Sequence, residues 1–212
     1  MSKSKMSIEL PSGQKGLLII ISAPSGCGKT TLVDRLLKRH PDWVRSISAT
    51  TRPSRLGEKE GEDYFFIESA QFQEMEKKSE FLETAQIYNQ FYGTPKDSIL
   101  RQLTEGKKII LAIDIQGMQK IKKVLSKKAQ LLTIFVLPPS IKVLRERLEG
   151  RKTEPPEEIQ RRIELAQEEI KAANLYDYTV VNQNLEQTVL EIEELVEKSH
   201  KERRNTNVLH PS

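Results

Sequence analysis

The sequence predicts an α/β protein in which a parallel sheet is flanked by helices and interrupted by a small mixed α/β insertion. Four apolar runs carry the first part of that expectation: "GLLIIIS" (16–22), "KIILAID" (108–114), "LLTIFVL" (131–137) and "YTVVN" (178–182). Their unbroken apolar character is that of strands covered on both faces. Helical patterns lie between or after them, and strands separated by helices read as a parallel sheet. Residues 49–107 break this rhythm with polar and aromatic stretches, which sets them apart as an insertion with its own small core.

Residues 1–15, "MSKSKMSIELPSGQK", are expected to be flexible; they hold no apolar stretch of signal-peptide type. After the first strand, "TTLVDRLLKRH" from Thr30 reads as a helix with Leu32, Leu36 and Leu37 on one face. The insertion opens with "ATTRPSRLGEKEGEDYFFIES", continues with a short helix from about Ser69 carrying Phe72 and Met75, and closes with "EFLETAQIYNQFYGT", read as small antiparallel strands. "RLEGRKTEPPEE" (147–158) is a charged bend around Gly150 and Pro155-Pro156. "IQRRIELAQEEIKAAN" (159–174) sets Ile159, Ile163, Ala166 and Ile170 on one helical stripe, and "LEQTVLEIEELVEKSHKERR" repeats the device before the tail "NTNVLHPS", expected to fray.

Composition narrows the class. A chain of 212 residues supports one well-buried core. With 37% hydrophobic and 30% charged residues it has no apolar stretch near the roughly 20 residues of a membrane span, so no membrane partner is expected. Cys27 is the single cysteine, which excludes a disulfide framework and fits a reducing, cytoplasmic setting. The net charge of +4 comes from 34 basic against 30 acidic residues, too slight an excess for bulk nucleic-acid binding. The arginines are clustered, however: Arg45, Arg52 and Arg55 in one stretch, Arg145, Arg147 and Arg151 on or beside one helix. Small, multiply charged anions are the expected partners.

"SAPSGCGKTT" (22–31) explains why. A P-loop reads G-x-x-x-x-G-K-[ST]: glycines turn backbone N–H groups inward, and the following helix offers its positive end to phosphates. Here Ala23, Pro24, Ser25, Gly26, Cys27, Gly28, Lys29, Thr30 and Thr31 fill the motif, with alanine in the first glycine position. Because Ala23 precedes Pro24 it is biased to extended backbone, which alanine adopts without strain. Lys29 is expected at the β- and γ-phosphates, and the Thr30 hydroxyl on Mg²⁺. Cys27 reads as a small residue filling the loop, although a cysteine near a helix N-terminus favours a thiolate. Asp114, closing "IILAID", places an acid at the carboxyl end of a second strand.

A P-loop alone leaves hydrolase, motor, switch and kinase open. Arg52 and Arg55 suit a second phosphate site, since guanidinium groups make charge-assisted, often bidentate, contacts with phosphate oxygens. Tyr64 and Tyr92 offer neutral donors to it. Glu83 can accept from two adjacent N–H groups, as guanine presents and adenine does not, with hydroxyls of Ser48 and Thr94 completing the recognition. On composition alone a solvated, arginine-rich loop is the better description of the segment, since charged residues mostly face water.

The motifs taken together go further. "SISATTRPSRLGEKEGEDYFF", "EFLETAQIYNQFYGT", "AIDIQG" and "RLEGRKTE", in this order behind the P-loop, resemble guanylate kinases over about residues 17–182. The resemblance implies transfer of a phosphoryl group from ATP to GMP; Mg²⁺ is expected with the ATP, and dGMP is expected as a second acceptor because nothing in the sequence announces a contact to the ribose 2′-hydroxyl. It implies Ser48, Glu83, Thr94 and Asp114 around guanine, and Arg52, Arg55, Tyr64 and Tyr92, next to Gly93, around the GMP phosphate. Arg147, Arg151 and Arg162 would surround the transferred phosphoryl, and Asn182 would lie near the ATP adenine. It also implies a P-loop core over 16–48, 108–140 and 160–205, a GMP-binding insertion over 49–107, a lid over 141–159 and a flexible tail over 206–212. The chain departs from the family pattern "LDIDxQG" at Ala112, where a carboxylate is missing, and at Lys152, where a glycine is usual. An adenylate or thymidylate kinase is the rival enzyme, and a scaffold module with a degraded P-loop the rival class; the intact Gly28-Lys29-Thr30 speaks against the second. The acceptor in such a reaction is already an anion, so no general base is expected, and His40, His200 and His210 receive no role.

Overall fold

The computed structural model describes residues 16–87, 89–150 and 155–209, with side chains described as far as Ser199. The expected flexible N-terminus, Arg151 and Lys152, where the family usually has glycine, lie outside the described residues, as do 210–212. In chain order the elements are β1 (Leu17–Ser22), α1 (Lys29–Arg39), β2 (Trp43–Arg45), β3 (Ser48–Thr50), β4 (Tyr64–Phe66), α2 (Ser69–Lys77), β5 (Phe81–Ile87) and β6 (Gln90–Pro95). They continue with α3 (Lys96–Thr104), β7 (Lys108–Ala112), α4 (Ile115–Leu125), β8 (Gln130–Leu137), α5 (Ile141–Glu149), α6 (Pro156–Lys171), a 3-10 turn (Ala172–Leu175), β9 (Tyr178–Val181) and α7 (Leu185–Leu209).

The mixed α/β fold has a parallel sheet flanked by helices. Its strand order is β2-β7-β1-β8-β9, so all four predicted strands lie side by side in it. Every residue of β1 is buried, as a strand covered on both faces must be. The fifth strand, β2, is a short edge with no apolar run; only Trp43 of it is buried, stacked 4.1 Å from His40. A run of three residues is too short to show periodicity, which is why the sequence did not reveal it.

Side-chain packing explains the helix boundaries. Helix α1 begins at Lys29 and buries Leu32, Val33 and Leu36, so Val33 takes the place expected for Leu37, which is only half-buried. Helix α6 starts with Pro156 in its first turn followed by Glu157 and Glu158, which suits a helix N-terminus in backbone geometry and in charge. It buries Ile159, Ile163 and Ala166, whereas Ile170 is half-buried. Helix α7 is held to α1 by Arg39 Nε on Glu193 at 2.7 Å, by His40 Nε2 at 2.8 Å from the same carboxylate, and by the Arg35–Glu186 pair. It continues to Leu209, four residues into the segment expected to be a tail.

The tertiary contacts fall into two compact units. One comprises described residues of 16–18, 46–109 and 119–131; the other those of 19–45, 110–118 and 132–209. The first contains a four-stranded sheet of order β4-β3-β6-β5. Strands β3 and β4 pair in parallel, with Ser48 opposite Tyr64, whereas β3–β6 and β6–β5 are antiparallel. The expectation of antiparallel strands throughout the insertion is corrected at this one pair. The long turn-rich stretch 51–63 lets the chain return in the same direction, as a tight hairpin cannot. Phe72 of α2 stacks on Phe81 at 4.7 Å and on Phe91 at 5.6 Å, giving this sheet its small core.

Candidate functional site

The loop between β1 and α1 is a cradle whose shape is set by two glycines. Gly26 has φ +90°, and a Cβ there would stand 2.8 Å from Leu148 Cδ2; Gly28 has φ +83° and would press on Asn182 Nδ2 at 3.1 Å. Backbone conformation and close packing therefore both require glycine at Gly26. Ala23 and Pro24 follow the end of β1, and the Cys27 N–H donates to the Pro24 carbonyl at 3.2 Å to close the turn. Cys27 is wholly buried among Leu144, Leu148, Ile159, Ile163 and Ala166. Burial raises its thiol pKa to about 12, so the residue is a filler and the thiolate reading fails.

Lys29 opens α1 and extends inward, its Nζ donating to the Ile113 carbonyl at 3.3 Å. Burial lowers its pKa, while Asp114 and Glu169 act in the opposite sense. Glu169 was not foreseen. Desolvation raises its pKa against the opposing charge of Lys29, and its Oε2 is buried without a hydrogen-bond partner. Thr30 and Thr31 are exposed on the first turn, and Ser25 is half-buried. Asp114 lies just beyond the end of β7, where its Oδ1 accepts from the Gly117 N–H at 2.7 Å and caps α4.

Two expected arginines reach this loop or its support. Arg162 Nη1 donates to Ser25 Oγ at 3.2 Å, and Arg147 Nη2 donates to the Asn182 carbonyl at 2.9 Å. Buried Asn182 in turn donates through Nδ2 to the Cys27 carbonyl at 2.7 Å and accepts from Thr188 Oγ1 at 3.3 Å. Its amide is thus a brace for the cradle, a role that the sequence does not announce because Cys27 is 155 positions away.

The other candidates are gathered by strand register in the first unit. Residues paired across a ladder share a sheet face, and alternate residues of a strand do so as well. The pairs Ser48↔Tyr64, Thr50↔Tyr92, Ala85↔Tyr92 and Glu83↔Thr94 put Ser48, Tyr64, Glu83, Tyr92 and Thr94 on one face. Ala49, Phe91 and Gly93 occupy the opposite face; a Cβ on Gly93 would meet the Phe81 ring at 2.8 Å, so this glycine admits the aromatic core. Buried Glu83 accepts from buried Thr94 Oγ1 at 2.6 Å, which aims a carboxylate and a hydroxyl together from adjacent strands.

Arg52 stands on the same polar face, its guanidinium 5.3 Å from the Tyr64 ring centre and 5.7 Å from that of Phe66. Both terminal nitrogens donate to Glu58, at 2.8 and 2.9 Å. The pairing raises the Arg52 pKa and lowers that of Glu58. Burial raises the Tyr64 hydroxyl pKa, and the Tyr92 charge adds to the effect while Arg52 opposes it. Arg55 is exposed, and its backbone N–H donates to Glu58 Oε2 at 2.7 Å. Glu58, like Glu169, is a site residue that sequence reasoning missed: within "GEKEGEDYFF" it is one acid among several.

The guanylate kinase family model matches residues 15–199. A guanylate kinase of Rickettsia conorii is 45% identical over 92% of this chain and 84% of its own length. One of Clostridioides difficile is 46% identical over 86% of this chain and 88% of its own. Among solved structures, guanylate kinase from Anaplasma phagocytophilum superposes with a TM-score of 0.72 at 30% identity, covering 88% of this chain and 87% of that one.

Proposed function

The chain belongs to the guanylate kinase family, phosphotransferases acting on GMP with ATP, and we propose the following division of that work among its residues. The cradle Ala23–Thr31 holds the ATP phosphates, with Lys29 reaching the β- and γ-phosphates. Arg147, Arg151 and Arg162 neutralise charge on the phosphoryl in transit. Ser48, Glu83, Thr94 and Asp114 hold guanine; Arg52, Arg55, Tyr64 and Tyr92, beside Gly93, hold the GMP phosphate. The observation that carries this reading is the cradle itself: two left-handed glycines, a helix N-terminus and an inward lysine, with Arg162 on one of its loop residues.

Mg²⁺ fits this donor set. It usually keeps several waters and takes one or two protein oxygens besides substrate phosphates, and Thr30 exposes a hydroxyl on the first turn of α1. When bound it would neutralise charge on the β- and γ-phosphate oxygens. Ala112 contributes no carboxylate of its own. Asn182, assigned to the adenine region by resemblance, acts first on the cradle through the Cys27 carbonyl.

The acceptor oxygen of GMP is anionic near neutral pH, so no side chain must remove a proton from it. The work of the chain is to hold two highly charged groups in line and to offset their repulsion. Lys29 can do so only while protonated, and the carboxylates of Asp114 and Glu169 oppose the effect of its burial. On the guanine side, Glu83 accepts from N1–H and N2–H, an edge that adenine lacks. No residue is assigned to the ribose 2′-hydroxyl, which makes dGMP a second acceptor. The product supplies guanine nucleotides to purine metabolism in the cytoplasm.

The test measures ADP formation with ATP and Mg²⁺ in the presence of GMP, dGMP, AMP, dTMP or no acceptor, for wild type, Arg147→Ala and Arg162→Ala. Stimulation by GMP and dGMP alone, with turnover reduced by about 10² or more in each variant, is expected. Unchanged turnover in both variants would reject their roles.

A further inference from the structure

We infer that Glu58 is the positioning residue for the acceptor phosphate: it grips the terminal nitrogens of Arg52 and leaves the lateral edge of that guanidinium to the phosphate. This rests on the assignment of Arg52 to the GMP phosphate made above.

A guanidinium has five N–H groups in a fixed plane. Nη1 uses both of its hydrogens, donating to Glu58 Oε2 at 2.8 Å and to the Pro53 carbonyl at 2.7 Å. Nη2 uses one, donating to Glu58 Oε1 at 2.9 Å. What remains is the second hydrogen of Nη2 and the Nε–H beside it; the Tyr92 hydroxyl also hydrogen-bonds this guanidinium, and Nε itself is buried with no hydrogen-bond partner. A shielded, unsatisfied guanidinium donor is costly, and an incoming anion relieves that cost. These two hydrogens form the second of the two forks by which arginine takes a phosphate or carboxylate in bidentate fashion. Tyr64 and Phe66 border the guanidinium, at 5.3 and 5.7 Å, and restrict its rotation.

Glu58 also resembles an anion occupying the place of the phosphate, and its backbone surroundings decide between the two readings. Its Oε2 accepts the Arg55 N–H at 2.7 Å, while its own N–H donates to the Arg55 carbonyl at 3.0 Å. Gly57, at φ +88°, makes this turn possible. The carboxylate is therefore built into the turn from both ends, and displacing it would break two hydrogen bonds to Arg52 besides leaving the Arg55 N–H unpaired. Holding Arg52 at one fork while a ligand takes the other requires none of that. The negative charge of Glu58 offsets part of the attraction for a phosphate, so its contribution is orientation, and its loss is predicted to cost less than the loss of Arg52.

The experiment measures binding of GMP and of guanosine, which lacks the phosphate, to wild type, Arg52→Ala, Glu58→Gln and the double variant. Steady-state KM values for GMP and ATP accompany it. Glu58→Gln is expected to weaken GMP about tenfold and to raise its KM alike, with guanosine binding and the ATP KM unchanged. Arg52→Ala is expected to weaken GMP about a hundredfold. In the Arg52→Ala background the Glu58 change should add less than about twofold, because it acts through Arg52. Glu58→Asp, which keeps the charge, carries the same comparison if the glutamine variant fails to fold. Tighter GMP binding in Glu58→Gln, or equal losses for GMP and guanosine, would overturn the inference. If Arg52→Ala binds GMP as wild type does, the phosphate assignment itself fails; if Arg52→Ala is weak and Glu58→Gln silent, only the role of Glu58 does.

Discussion

The P-loop cradle and the arginine–tyrosine face of the four-stranded sheet both present positive or donor groups, and both are proposed phosphate sites, but they are built differently. The cradle is mainly backbone. Its shape follows from two left-handed glycines, a strand buried along its whole length and a cluster of apolar side chains around Cys27. The sheet face is side chains, brought together by register and steadied by a carboxylate on Arg52. A backbone site is written in consecutive residues. A side-chain site depends on pairing among strands distant in the chain and tolerates more ways of being spelled.

The largest expected effects lie in the cradle. Lys29→Ala is expected to lower turnover by about 10³ or more in ADP-formation assays, since in the proposed role it supplies the positive charge at the transferred phosphates. A loss below tenfold would mean that the inward orientation of Lys29 is not its working one. Next come the glycines, where the structure sets up an internal contrast. Gly26→Ala combines left-handed backbone with a Cβ 2.8 Å from Leu148, whereas Gly57→Ala has the strain at φ +88° and nothing within 4 Å of the new carbon. Thermal melts should show a loss of about 2–3 kcal/mol for the first and about 1 kcal/mol for the second. Equal losses would show that packing around the cradle is not tight.

Asn182→Ala should raise the KM for ATP by about tenfold and leave that for GMP unchanged, by freeing the Cys27 carbonyl. Glu83→Gln, tested by comparing GMP with AMP as acceptor, should lower GMP use by about 10²-fold through loss of the charged acceptor. An unaltered preference would remove Glu83 from guanine recognition. The smallest effect concerns neither site. Hydrogen bonding to Arg39 holds the Glu193 pKa below its ordinary value, with burial acting in the opposite sense and His40 adding a smaller lowering. A depressed carboxylate contributes stability above its unfolded pKa and loses it as pH falls through the folded value. Glu193→Gln should therefore cost about 0.5–1 kcal/mol at neutral pH and progressively less in acid.

This contrast also explains what could be read from the chain. The four central strands were legible because burial on both faces leaves an apolar run, and the cradle because its glycines and lysine are contiguous. Strand β2 was missed for want of length, and the parallel pairing of β3 with β4 because composition does not encode strand direction. Arg52, Tyr64, Glu83 and Thr94 were found as residue types suited to phosphate and guanine, yet the shared face that unites them is a property of register. Glu58, Glu169 and the bracing role of Asn182 stayed hidden because each acts through a spatial neighbour, in the case of Asn182 and Cys27 one separated by 155 positions.

The account claims that one nucleotide is held by the backbone cradle and the other by the side-chain face. Binding titrations of ATP and of GMP, each to Lys29→Ala and to Arg52→Ala, test it most directly. The account predicts that Lys29→Ala loses ATP affinity and keeps that for GMP, while Arg52→Ala does the reverse. Loss of GMP binding in Lys29→Ala together with retention in Arg52→Ala would contradict it.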